Sequence, residues 1–419
     1  MATARGLART PRRVAISGMG IVSPIGRGVS NFCRALRDCR SGIAPRTIFD
    51  ETYPSDPRQP YAHLAAAVED VPPGYVLLDE LPMFALDRFA AYAVIAAREA
   101  LHDAGFENGD ARRARAAVIV GTAVGGDNSR DFASHRVFAR GQKAHPLTVV
   151  RTMVNAAASG VSIAFGLGGP VFNISSACAS SAHAIGEAAR MVQFGFSECA
   201  VAGGAESLPA YSLFRSWQQM RVLSPDGCRP FAADRNGLVL GEGAGVVVLE
   251  PLDAVRARGG HVYAEVAGFG MSADARDWVI PDVDGMTRCM EEALADAEVS
   301  PAEIAYVNAH GTSTDRGDAA EAEALWRLLG ERAARVPVSS TKALHGHALG
   351  ATGAFEAIAT AIGLDEGWLP PMPSAARDPR IELELVTDRP RPLEGDVAIS
   401  NSFGFGGLNA SLVLRRVPH

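Results

Sequence analysis

The chain of 419 residues has no long apolar run: its longest uninterrupted stretches, such as residues 90–97, fall far short of the ~20 residues a bilayer-spanning helix needs. A membrane-spanning protein is therefore not expected. Nor is there an excess of positive charge. Lys and Arg total 40 against 47 Asp and Glu, a formal charge of −7. Phosphate backbones demand a concentrated basic face, so nucleic acid is not expected as a partner. Cysteine is sparse and scattered. The six, Cys33, Cys39, Cys178, Cys199, Cys228 and Cys289, include no C-x-x-C pair, which argues against a disulfide framework and against zinc-ligand spacing, and fits a reducing cytoplasm. Residues 1–13 are basic and acid-poor, but no apolar segment follows them; residues 1–11 are expected to form a disordered tail rather than a targeting signal. With 47% of its residues hydrophobic and 21% charged, the chain has ample material for a large buried core.

What the chain does have is an internal repeat. A strand-like run Val14-Ala15-Ile16-Ser17 leads into Gly18-Met19-Gly20, and Ala264-Glu265-Val266-Ala267 leads into Gly268-Phe269-Gly270. Each is followed by apolar residues at helical spacing: Phe89, Ala93, Ala96, Ala100 and Leu101 in one case, Met286, Cys289, Met290, Ala293, Leu294 and Ala297 in the other. Both helices lead into strands, which end in Gly121-Thr122 and in Ala309-His310-Gly311-Thr312. A third correspondence sets Ser175-Ser176-Ala177-Cys178 against Ser339-Ser340-Thr341-Lys342, each ahead of a helix of small residues. Apolar strands at residues 246–249 and 412–414 close the two halves. Strands that are apolar throughout and alternate with helices predict parallel-rich sheets covered on both faces, in two halves packed face to face as one fused α/β body. The first half carries insertions, including the Pro-rich residues 54–73 and the polar residues 127–145, which are expected to be lids or subunit contacts.

The chemistry centres on Cys178. It follows the strand Val171-Phe172-Asn173-Ile174 and precedes a helix beginning near Ala179. At such a turn, unpaired amides and the positive end of the helix dipole favour thiolate over thiol, and a backbone N–H can point at the oxygen of an attacked acyl group. A lone cysteine there would more often be a small buried apolar residue. Its company changes the reading. His310 ends a strand and is followed by Asp315, Asp318 and Glu321, while His347 lies in the segment that matches the cysteine turn. Pseudo-symmetry would bring the imidazoles to the sulfur. Near the C-terminus, Ser400-Asn401-Ser402-Phe403-Gly404-Phe405-Gly406-Gly407 joins glycines that allow close backbone approach to phenylalanines that can screen a pocket. It matches neither G-x-G-x-x-G nor the P-loop, so no nucleotide is implied.

These segments, with residues 201–206, Arg229-Pro230-Phe231 and Gly241-Glu242-Gly243-Ala244-Gly245, resemble the β-ketoacyl-acyl-carrier-protein synthases over about residues 12–416. The Cys-His-His set resembles the elongating type; the initiating type has Asn where His347 stands. Thiolases carry a second cysteine near the C-terminus, and here none follows Cys289. The resemblance implies the thiolase fold, with mixed five-stranded sheets layered αβαβα in two halves, 12–260 carrying the nucleophile and 261–419 the two histidines. It implies a decarboxylative Claisen condensation in which Cys178 accepts an acyl group and a malonyl thioester then attacks it. His310 and His347 would stabilise the enolate, and the backbone N–H groups of Cys178 and Phe405 would form the oxyanion hole. Lys342 and Glu356 would be a supporting ion pair, Thr312 and Thr314 would hold the pantetheine arm, Phe405 would gate the acyl pocket and Arg221 would help dock the carrier. The pocket itself would be lined by Val124, residues 148–154 and Phe405, partly across a dimer interface. No metal and no cofactor are implied. The partners are acyl- and malonyl-loaded acyl carrier protein and a second subunit, in a homodimer or in a heterodimer with a ketosynthase-like chain.

Two departures stand out. His345 replaces the Ser or Thr common two places before the second histidine; it either packs behind the site or alters how the malonyl carboxylate is handled. Residues 78–85 occupy a region that is rich in Lys and Arg in fatty-acid enzymes but is not so here. Arg130, Arg136, Arg140 and Lys143 either compensate or form a solvated face. The departures favour a polyketide, polyene or specialised fatty-acid pathway over housekeeping elongation. A non-catalytic chain-length partner is the reading from another class, and the nucleophile counts against it.

Overall fold

The computed structural model describes residues 11–47, 62–69, 86–107 and 109–418. The expected tail up to residue 10, the stretch at 78–85 and most of the Pro-rich segment lie outside the described residues. The repeat in the sequence is a repeat of structure. The first half runs β1 (Val14–Ser23), α1 (Arg88–Asp103), β2 (Ala116–Gly121), α2 (Ala156–Phe165), β3 (Val171–Ile174), α3 (Ser180–Gln193), β4 (Cys199–Glu206) and β5 (Gly243–Pro251). The second half answers element for element: β6 (Ala264–Ala273), α4 (Val283–Asp296), β7 (Ile304–Asn308), α5 (Asp315–Leu329), β8 (Pro337–Ser339), α6 (Thr352–Glu366), β9 (Val397–Gly404) and β10 (Leu408–Arg415).

Strand order repeats too, as β3-β2-β4-β5-β1 and β8-β7-β9-β10-β6. In the first half β2 is parallel to β3 and β4, and β5 is antiparallel to β4 and β1. The second half has the same directions. The two five-stranded sets join through a short antiparallel ladder between β1 and β6, Val14↔Val266 to Ile16↔Ala264. Helices α1 and α2 cover one outer face, α4 and α5 the other, and α3 packs on α6 between the sheets. This is the αβαβα layering of the thiolase fold. Because α3 and α6 are rich in Ala, Gly and Ser they approach closely, and the central core gathers Ile185, Ala188, Phe355 and Ile358 around them. Among the described residues no helix is long and apolar enough to cross a membrane.

The repeated Gly-x-Gly now has a cause. Gly18 and Gly20 of β1 face α1, and Gly268 and Gly270 of β6 face α4, so closely that an added methyl would fall on the carbonyl oxygens of Ala100, Ala96, Ala293 and Cys289 respectively. Only glycine lets a helix backbone rest on these strands. The ladders also correct two sequence pairings. Followed outward from the Gly18–Gly268 match, they set Ile119 against Asn308 and Phe172 against Ser339, so Gly121 is equivalent to His310 and not to Gly311. The connections after the strands differ in length, which motif matching alone does not register.

Gly20→Ala is expected to destabilise the protein by about 1–3 kcal/mol through overpacking against α1, lowering the thermal midpoint by several degrees. A calorimetric scan checks this; an unchanged midpoint would show that the helix can move away.

Candidate active site

Strand β3 is an edge strand, and the chain turns sharply from it into α3. Ser180, the first residue of α3, holds the turn: its hydroxyl accepts the Ser176 N–H at 2.9 Å and donates to the Ala177 carbonyl at 2.6 Å. Ala177 takes a positive φ of 52°, a strained conformation that the two hydrogen bonds enforce. His183, one turn into the helix, meets the Ser176 hydroxyl at 2.8 Å. Cys178 is thereby presented at the mouth of the helix, buried but lining a cavity of about 350 Å3.

Two second-half loops face it. The backbone N–H groups of His310 and Gly311 donate to the Glu321 carboxylate at 2.8 and 2.7 Å, and Asp318 accepts from Ser313 and Phe231 at 3.0 and 2.7 Å. Both acids lie on α5, so one helix face fixes the whole histidine loop. His347 is anchored by its own N–H to the Val239 carbonyl at 2.7 Å. Its Nε2 lies 3.1 Å from the Cys178 Sγ and its Nδ1 3.0 Å from the Thr352 hydroxyl. The rings of His310 and His347 stand nearly perpendicular with centroids 5.4 Å apart. The structure thus brings the three residues together in one crevice, as the sequence expects.

The three side chains are buried, and that sets the electrostatics of the site. Burial pushes the Cys178 thiol up to about 11, although Lys342 and the Phe405 N–H pull the other way. Desolvation thus opposes the helix terminus, which by itself favours thiolate over thiol. Burial, reinforced by the Lys342 charge, drives His310 and His347 well below the ordinary histidine value, so both are neutral. Lys342, one of only two lysines in the chain, is fully buried and paired with Glu356, which burial pushes up to about 7. A sulfur in contact with a neutral imidazole can pass its proton to that ring.

The remaining sequence-predicted residues divide. Thr312, Thr314, Phe405 and Arg221 all line the cavity, and the two threonine hydroxyls lie 3.0 Å apart. Val124 and residues 148–154 do not line it; Val149 and Val150 are 69% and 48% exposed. His345 is also absent from the cavity wall. It is buried against Phe32 and Phe355, with Nδ1 at 2.8 Å from the Gly346 carbonyl and Nε2 at 2.9 Å from the Thr341 hydroxyl. Sequence reasoning gave no role to Trp217, which stacks on Phe405 at 5.5 Å, or to Thr352. It also gave none to Glu206. That carboxylate accepts from Ala123, Gly125, Gly350 and Thr122 and clips the two halves together, while burial pushes it up to about 7. The signal in its case was an acid closing an otherwise apolar strand.

A duplicated α/β fold with a buried thiol, two neutral imidazoles and an adjacent backbone N–H defines a class: a thiolase-fold enzyme that transfers acyl groups. The chain belongs to the β-ketoacyl synthase family, since the models of its N-terminal and C-terminal domains match residues 11–254 and 263–375. It is 38% identical to nodulation protein E of Rhizobium leguminosarum bv. trifolii over 97% of this chain and 100% of that one. It is 38% identical to 3-oxoacyl-[acyl-carrier-protein] synthase 2 of Coxiella burnetii over 97% and 99%. A solved structure of the ishigamide ketosynthase/chain length factor superposes with a TM-score of 0.90 at 32% identity, covering 97% of this chain and 100% of that one.

With the thiol raised to about 11, iodoacetamide alkylation of Cys178 is expected to accelerate about tenfold per pH unit from 7 to 10. Intact-mass kinetics with peptide mapping measure it; a rate already at its plateau at pH 7 would mean the resting group is a thiolate.

Proposed function

We propose that this chain is an elongating β-ketoacyl-acyl-carrier-protein synthase. An acyl group moves from a carrier thioester to Cys178; malonyl carrier protein then loses carbon dioxide, and the resulting enolate attacks the acyl-cysteine to give a 3-oxoacyl carrier thioester. The observation that carries this reading is the 3.1 Å approach of His347 Nε2 to the sulfur, with His310 beside it on the wall of one cavity. His347 takes the thiol proton as the acyl group arrives and gives it to the departing carrier thiol, so the ring is neutral again when malonyl carrier protein enters. Both neutral imidazoles then donate to the malonyl thioester carbonyl, and the N–H groups of Cys178 and Phe405 receive the charge on the attacked acyl oxygen. Lys342 and Glu356 hold the field behind the histidines. Thr312 and Thr314 receive the pantetheine arm, and Phe405 gates the acyl pocket, resting on Trp217 when shut. Arg221 at the cavity rim meets the acidic carrier.

We take the halves to divide at 260/261, between the end of β5 and the start of β6, and assign the chain to a polyketide, polyene or specialised fatty-acid pathway, with housekeeping elongation as the alternative. The likeness to a ketosynthase/chain length factor pair supports a second subunit, either another copy or a ketosynthase-like partner. So does the exposed apolar surface at Val149, Val150, Val171 and Phe172, which includes the edge strand β3. In that assembly Val124 and residues 148–154 complete the acyl pocket. A non-catalytic chain-length role is the reading from another class; the assembled thiol and histidines count against it.

Incubation with acyl carrier thioesters, then malonyl carrier protein, with intact-mass readout is expected to show one acyl group on Cys178 and then a 3-oxoacyl product. His310→Ala or His347→Ala should lower condensation about 10²–10³-fold, while His310→Ala leaves Cys178 acylation largely intact. An absent acyl adduct, or condensation surviving Cys178→Ala, would overturn the reading.

A further inference from the structure

Cys178, His310 and His347 are distant in sequence, yet one donor atom from each lies within 4.8 Å of the other two. We propose that these three side chains form a binding site for a divalent ion of the zinc class, and that a filled site keeps the sulfur from reacting. A thiolate with two imidazoles suits a soft, four-coordinate ion; magnesium and calcium prefer oxygen. Metal–ligand bonds of about 2.0–2.3 Å in a tetrahedron place donor atoms about 3.3–3.8 Å apart. The His347 Nε2 to Sγ distance of 3.1 Å is close to that edge, and the widest separation, up to 4.8 Å, has to close by about 1 Å on binding.

Two further observations point to a ligand. The Nδ1 of His310 is buried with no hydrogen-bond partner among the described residues, an unusual state for a polar atom in a packed site. His347 already has the arrangement of a ligating histidine, one nitrogen steadied at 3.0 Å by the Thr352 hydroxyl and the other turned to the sulfur. The nearest buried cation, Lys342, is paired with Glu356; its positive charge, which also lowers both histidines, works against a bound cation and is met by the thiolate formed on binding. On binding, the S–H bond breaks, a sulfur–metal bond forms and the proton passes to the buffer; nothing is oxidised or reduced. All three ligands line the cavity, so the fourth position opens into it and is left for water. The effect on turnover rests on the condensation reading; the binding does not.

The test titrates chelator-treated, full-length protein with cobalt(II), whose spectrum reports its ligands. One equivalent is expected to bind, with a thiolate-to-cobalt charge-transfer band in the near ultraviolet and visible bands of four-coordinate strength. Cys178→Ser, or alkylation of the wild-type protein, should abolish the charge-transfer band. His310→Ala and His347→Ala should each weaken binding at least about tenfold, and Thr352→Val, which removes no ligand, about tenfold. Zinc should displace cobalt and slow alkylation of Cys178 at least about tenfold, reversed by chelator. A charge-transfer band that survives Cys178→Ser in folded protein, a six-coordinate spectrum indifferent to these substitutions, or unslowed alkylation in saturating zinc overturns the proposal. Failure of acyl transfer in metal-free protein counts against the condensation reading alone, because the cobalt spectrum is read without any substrate.

Discussion

The structure depends on one contact, the meeting of α3 and α6 in the central layer. Their first turns touch: the Ala354 N–H donates to the Ser181 hydroxyl at 2.9 Å, and Gly353 leaves no room for a side chain between Ser181 and Ser402. Cys178 stands just ahead of α3, and His347 is tied by its ring to Thr352, the first residue of α6. The separation of sulfur and imidazole is therefore set by two helix backbones in contact. Small residues along both helices are what make that contact possible, so the composition of the helices and the geometry of the site are one requirement.

Close packing buries the groups of the site, and their electrostatics follow from that burial. The buried acids, Glu206, Asp318, Glu321 and Glu356, are all raised, the histidines lowered and the thiol raised. Every shift is toward the neutral form, as desolvation demands. The acids do structural work meanwhile, each accepting hydrogen bonds that hold a loop or the Lys342 ammonium. What remains at the cavity floor is a set of uncharged donors. Under the proposed condensation this is advantageous, because charge then appears at the oxyanion and enolate only in the transition state, where fixed donors act most strongly.

Much of this was legible in the sequence, for reasons that can be named. The Gly-x-Gly pairs mark strands lying directly under helices, and the serine-rich turn before a small-residue helix marks Cys178. Both are local signals. The roles of Glu206, Trp217 and Thr352 were not legible, because each arises from contact across the two halves. The balance at Cys178 was illegible for a similar reason: a helix terminus can be read from spacing, whereas the desolvation that opposes it depends on the surrounding core.

The duplicated fold also shows why the halves carry different chemistry. By strand register His310 is equivalent to Gly121, and a side chain at Gly121 would strike the backbone of Ser180 and Ser181 at the start of α3. The first half cannot hold a residue there because only five residues, 175–179, connect β3 to α3 and draw the helix hard against β2. The second half spends twelve, 340–351, between β8 and α6. That longer connection carries Lys342, His345 and His347 and leaves space for an imidazole at the equivalent strand end. A short connection sets Cys178 at a helix mouth in one half, and a long one sets Lys342 and His347 in the other; the pseudo-dyad brings the sulfur and the imidazoles into one crevice.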